Sequence, residues 1–305
     1  MPKRPPTTPI NNAEITYCSP ARHEEGLRTR SCFKKSELVQ IAKDINVKYQ
    51  KNIKIGNKPK EILHREIMET FKNECGDKEY CWVDKALVKR ASTLAKQAFR
   101  PPKPKEWNVN PRQWLNTYDI LYVLKQYEER ITNFMFTGVY PIDFQERYTD
   151  GTCIGESLCT FDIHKDVLEK GKRRFAIVLN LDKHYQSGSH WVSIYCDLRV
   201  SSPNYGIFYY DSTAHPAPPE VKRFMTQVQE QVRQSPSYSA SSSKKFVVKE
   251  NVHQKQYKNT ECGMFSIVFI SQCLKEIPFD EICKRMHKDD GIHAIRSVIY
   301  RPRNT

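Results

Sequence analysis

The chain has no apolar run approaching the length of a membrane span. Its first residues, Met1-Pro2-Lys3-Arg4-Pro5-Pro6, lack the apolar core of a signal peptide. Both absences predict a soluble, unsecreted protein. It also lacks the C-x-x-C spacing that nucleates zinc sites, and its ten cysteines form no dense framework. They read as reduced thiols, with no metal and no cofactor expected. There is no internal repeat, and no recognisable nucleic-acid-binding motif or interleaved aromatic platform.

What is present is ordinary globular material, 305 residues with 39% hydrophobic and 28% charged, enough for one large domain and a smaller one. The net charge of +14 is unevenly placed: residues 1–105 carry 23 Lys and Arg against 12 Asp and Glu, the remaining 200 carry 26 against 23. The basic front third makes nucleic acid a candidate partner, with a solvated surface as the plain alternative.

Residues 1–30 are polar and proline-containing and read as a poorly ordered basic arm. From Ser31, apolar residues recur at helical spacing (Leu38, Ile41, Ala42, Ile45), with Ser36 and Glu37 as a start signal; further helices are predicted over 61–71 and 83–99. Residues 31–105 thus form a helical N-terminal domain. Arg100-Pro101-Pro102-Lys103-Pro104-Lys105 disfavours helix and strand alike and marks the boundary with a second domain, 106–305.

In the second domain a helix is predicted over 114–130, then strands over 175–181, 191–196 and 207–210, a helix over 220–233, a serine-rich loop over 235–243 and a strand at 246–248. An apolar helix begins near Cys262, and shorter ones lie near 279–286 and 294–298. The order predicts an α+β fold, a central mixed sheet flanked by helices.

The chemistry concentrates in four places. Cys262-Gly263 opens the apolar helix, and Thr260 is placed to cap a start near Glu261, leaving the sulfur in a first turn that favours negative charge. Gly263 leaves room beside the sulfur for an incoming peptide carbonyl. His190 begins a strand and Asp211 ends another, so that the acid can orient the imidazole as in a nucleophile–base–acid triad. Gln256, six residues before the cysteine, is an oxyanion donor together with the Cys262 backbone N–H. Each residue alone has a structural explanation, and a lone cysteine on an apolar helix is more often inert core. The combination, in this order, indicates a cysteine protease.

At these residues the chain resembles the SUMO-deconjugating cysteine protease superfamily, which includes the adenovirus protease. The matching residues are His190-Trp191, Asp211, and Gln256 with Cys262-Gly263. Trp114-Leu115-Asn116 resembles a Trp-Leu-Asn-Asp signature on an early helix of that family. There this tryptophan and the one after the catalytic histidine sandwich a Gly-Gly backbone, positions that fall here on Trp114 and Trp191. Gly188 to Ile194, Asp211-Ser212-Thr213 and Thr260 to Gly263 resemble the polyprotein and capsid maturation proteases of large cytoplasmic DNA viruses, the African swine fever virus type among them.

The resemblance implies a papain-like SUMO-protease core with an N-terminal helical arm. It also implies cleavage of viral structural polyprotein or capsid precursors at Gly-Gly-X sites during virion maturation, with the enzyme in virions and host cytoplasm. Thr117 stands where the cellular signature has Asp, which weighs against the alternative of a SUMO or ubiquitin-like deconjugase. An alternative of another class is a non-catalytic basic nucleic-acid-binding or scaffold protein with a structural thiol.

Overall fold

The computed structural model describes residues 17–23, 30–86, 91–235, 238 and 244–303. Most of the expected basic arm (1–16 and 24–29) and of the serine-rich loop (236–237 and 239–243) lies outside the described residues. The chain divides into two compact units at 103/104, and the residues from Ser297 onward cluster with the first.

The first unit is helical, with α1 (Lys35–Tyr49), α2 (Lys60–Cys75), α3 (Glu79–Ala86) and α4 (Ala91–Ala98). The start of α1 follows its local chemistry: the Glu37 carboxylate accepts the Lys34 backbone N–H at 2.7 Å, closing the first turn. Leu38, Ile41, Ala42 and Ile45 then fall on one stripe and pack with Leu63, Ile67, Phe71, Trp82 and Phe99 into a continuous core.

Six of the ten cysteines are bonded, a correction to the expectation of reduced thiols. Cys18 pairs with Cys32 and Cys75 with Cys81 in this unit, and Cys153 pairs with Cys159 in the second. The physical reason is local. The Cα atoms of each pair lie within 5.1 to 5.9 Å, inside disulfide reach, and neither a signal peptide nor dense spacing is needed for such an approach. Cys196, Cys262, Cys273 and Cys283 are free and buried.

The second unit is built on a mixed sheet in the order β1 (Phe134–Pro141), β2 (Arg174–Asn180), β3 (Trp191–Asp197), β4 (Gly206–Tyr210) and β5 (Val247–Glu250). The outer pairs are parallel and the inner ones antiparallel. This is the expected α+β class. β1 is an element that the sequence pattern missed: Gly138 sits in it, Pro141 ends it, and its register shifts between Phe136 and Gly138.

The strands alternate cleanly. Phe175, Ile177 and Leu179, with Val192, Ile194, Ile207 and Tyr209, meet Val221, Phe224, Val228 and Val232 on the inner stripe of α6 (Pro219–Gln234). The opposite face carries α7 (Cys262–Leu274), where every residue but Gln272 is buried, and Tyr210 stacks on Phe269 at 4.6 Å. α5 (Thr117–Arg130), α8 (Phe279–Arg285) and, up to Arg296, α9 (Asp289–Ile299) complete the unit. Among the described residues no helix is long and apolar enough to cross a membrane.

Candidate active site

The register of β3 and β4 sets the site's position. Ser193 pairs with Tyr210 in an antiparallel ladder, so His190, directly before β3, and Asp211, directly after β4, leave the sheet at the same end. His190 precedes the strand instead of beginning it, and its carbonyl accepts the Leu181 N–H at 2.9 Å. The His190 ring and Asp211 meet at 2.7 Å, Nε2 to Oδ1. The Cys262 thiol acts on the same ring and favours its charged form. Nε2 is occupied by Asp211, so Nδ1 is the nitrogen left for sulfur.

Burial opposes a charged imidazole, but it is outweighed by the hydrogen bond to Asp211 and then by the interaction with Cys262, and His190 is pushed up to about 9. Burial would likewise raise the Asp211 carboxyl, yet His190 and Thr213 hold it below its ordinary value. Thr213 donates twice to Asp211 Oδ1, from its backbone N–H at 2.8 Å and its hydroxyl at 2.7 Å. Asp211 is fully buried, so these bonds fix both its charge and its direction.

Cys262 is the first residue of α7, at 1% exposure. Glu261 takes the N-cap position with no side-chain cap bond, in place of the expected Thr260, whose hydroxyl donates to the Glu261 carboxylate at 3.3 Å. Gly263 has a different reason from the expected one. A Cβ there would lie 3.1 Å from Leu115 Cβ and 3.2 Å from Trp191 Cδ1, so these side chains fill the space beside the helix.

Trp191 is also fixed by its indole N–H, which donates to the Leu115 carbonyl at 2.9 Å. Trp114-Leu115 precedes α5 instead of lying on it, because Asn116 caps the helix: its side chain accepts the Asp119 N–H at 3.0 Å while Asp119 accepts the Asn116 N–H at 2.9 Å. Trp114 and Trp191 line one cleft of about 540 Å³, whose walls include Thr117, Val139, Asn180 and Gly188. His190, Asp211, Gln256 and Cys262 are not among its walls.

Gln256 is buried, and its side chain is gripped at both ends. Ser212 donates to Oε1 at 2.6 Å, and Nε2 donates to the Lys258 carbonyl at 2.6 Å, which uses one of its two N–H groups. The Ser212 carbonyl accepts the Lys255 and Gln256 N–H groups, and Asn251 donates to the Asp211 carbonyl at 2.7 Å. Sequence reasoning gave no role of their own to Ser212, Thr213 and Asn251. The first two entered only as neighbours of Asp211 in the family resemblance; Asn251 is 40 residues away and gives no signal.

Residues 174–291 match the Ulp1 protease family, C-terminal catalytic domain, a span that holds His190, Asp211, Gln256 and Cys262 but not Trp114. The chain is 26% identical over 308 residues to a thiol protease of Acanthamoeba polyphaga mimivirus, covering 94% of each chain. It is 24% identical to an African swine fever virus protein named SUMO-1 cysteine protease, over 74% of this chain and 83% of the relative. The crystal structure of an African swine fever virus protease shares the fold, with a TM-score of 0.64, 18% identity, and coverage of 95% of this chain and 97% of that one. The chain is a cysteine protease with a catalytic domain of the Ulp1 type.

Proposed function

We propose that this protein is a virus-encoded thiol endopeptidase that cuts structural precursor proteins at Gly-Gly-X sites during virion maturation. The observation that carries the reading is the imidazole of His190 bonded to the buried Asp211 at 2.7 Å, with the Cys262 thiol favouring the charged form of the same ring. In the proposed cycle His190 holds the Cys262 proton, and the sulfur attacks the carbonyl carbon of the second glycine. The carbonyl oxygen becomes an oxyanion facing the Cys262 backbone N–H and the second N–H of Gln256. His190 then protonates the leaving amine, the C–N bond breaks, and water releases the acyl group from sulfur by the same steps in reverse. Asp211 keeps the ring in the required tautomer throughout.

The glycine preference is supported by the cleft that Trp114 and Trp191 both line, since a slot between two indole faces would admit a backbone without Cβ. The basic first 105 residues fit a role in holding the enzyme near packaged nucleic acid, and its site of action would then be the virion and the host cytoplasm. None of the eleven glycines adjoins another, so the enzyme offers no Gly-Gly site of its own and stays whole in an assay.

The test is incubation of wild type and Cys262→Ala with a precursor carrying an internal Gly-Gly-X site, beside a SUMO conjugate. Wild type alone is expected to cut the precursor, at the Gly-Gly bond identified by mass spectrometry. Cleavage by the alanine variant would remove Cys262 from the mechanism. Preference for the conjugate would favour the deconjugase activity suggested by the name of the African swine fever virus relative.

A further inference from the structure

The turn that carries Cys262 and the segment that carries Trp114 are far apart in sequence; Leu115 lies beside Gly263 and Arg112 reaches Glu261 at 3.7 Å, and one buried side chain binds the backbone of both segments. Arg296, 4% exposed, lies on α9, beyond the residues that match the Ulp1 family. Its Nε donates to Glu261 Oε2 at 2.8 Å and its Nη2 to the Thr260 carbonyl at 3.2 Å. Its Nη1 donates to the carbonyls of Pro111 at 3.1 Å and Gln113 at 2.8 Å. The flat face of the same guanidinium lies over the Trp107 ring at 4.3 Å.

These contacts form one stripe. Asp289, His293 and Arg296 are spaced four and three residues apart and therefore share a helix face. Asp289 accepts the backbone N–H groups of Tyr257 and Lys258, and His293 meets Glu261 Oε1 at 2.9 Å. α9 thus holds the loop from Tyr257 to Glu261 along its length; its exposed Asp290 pairs with Arg112 at 2.6 Å, and its buried Arg296 reaches the carbonyls on either side of Arg112.

We propose that Arg296 is a positioning residue, which sets Cys262 against the Trp114–Trp191 cleft by binding the backbone on both sides at once. The chemistry requires a guanidinium. Its planar fork spreads several N–H donors in fixed directions, whereas a lysine ammonium is a compact charge on a flexible stem. Glu261, fully buried, is the counter-charge that makes it tolerable to bury the arginine. The proposal rests on Cys262 being the reactive thiol of the reading above.

The test compares wild type with Arg296→Lys, using a fluorogenic Gly-Gly-X peptide, iodoacetamide labelling of Cys262 and thermal melting. Arg296→Lys keeps the charge opposite Glu261 and should melt as a folded protein. Its kcat/KM is expected to fall on the order of 10- to 100-fold, the scale of a small misplacement of reacting groups. KM should carry the larger part, and labelling of Cys262 should slow. A folded Arg296→Lys enzyme with wild-type kcat, KM and labelling rate overturns the proposal.

If that variant does not fold, Arg296→Met combined with Glu261→Gln, which removes both buried charges, is read in the same way. Loss of the fold in both makes Arg296 a structural residue and also overturns the proposal. If wild type is labelled at Cys262 but cuts no Gly-Gly-X peptide, only the substrate reading fails. The labelling rates then decide the role of Arg296.

Discussion

Replacing Asp211 by Asn isolates what the buried acid does for His190. Asn keeps an oxygen for the two Thr213 donors and removes the charge facing the ring. Asp211 and Cys262 together lift His190 from 6.5 to about 9 against the opposing effect of burial, and the hydrogen bond to Asp211 is the largest contribution in the upward direction. Its loss should lower the titration of His190 by at least about one pH unit, worth about 1.4 kcal/mol.

The sign for stability follows from the raised value. Protonated His190 stabilises the fold fully below about 6.5, and this contribution, about 3 kcal/mol in wild type, is lost as pH rises through about 9. In Asp211→Asn the loss should be smaller and should end at lower pH. The assays are the NMR titration of the His190 ring carbon and melting curves between pH 6 and about 10, a range that spans the window. A variant whose His190 still titrates near 9, with an unchanged stability profile, would refute the assignment of Asp211 as its principal partner.

Two further outcomes are expected. Gly263→Ala forces a Cβ against Leu115 and Trp191 and should cost about 1–3 kcal/mol, seen as a lower melting temperature, with a raised KM if Trp191 shifts in the cleft. Ser212→Ala leaves the buried Gln256 oxygen without its donor, at about 1–3 kcal/mol in stability. Peptide kinetics should show a lower kcat for it, but a smaller loss than in Gln256→Ala, since the amide is displaced and not deleted.

The parts of the site legible in the sequence are those written in short stretches. His190-Trp191 and Asp211 flank strands with strong β patterns, and Cys262 opens a continuous apolar run, so their placement follows from the elements. Contacts from side chain to distant backbone left no trace. Arg296 to Gln113 spans 183 residues, and no spacing rule connects them. Gly263 was misread because a glycine beside a nucleophile looks like space for substrate, whereas its neighbours come from Leu115 and Trp191. β1 escaped because Gly138 and Pro141 weaken its strand pattern. The disulfides escaped because compartment was inferred from leader and spacing, while pairing is decided by the approach of the two Cα atoms.

The near-complete burial of α7 has a consequence for how the enzyme fails. A helix with a solvated side can fray and exchange its amide hydrogens through local openings, but one enclosed on all sides exchanges only when its surroundings come apart. The amides of Phe265 to Ile270 should therefore be among the slowest to exchange deuterium. Heat or denaturant should abolish thiol reactivity at Cys262 together with the collapse of the whole second unit, with no earlier inactive but folded stage.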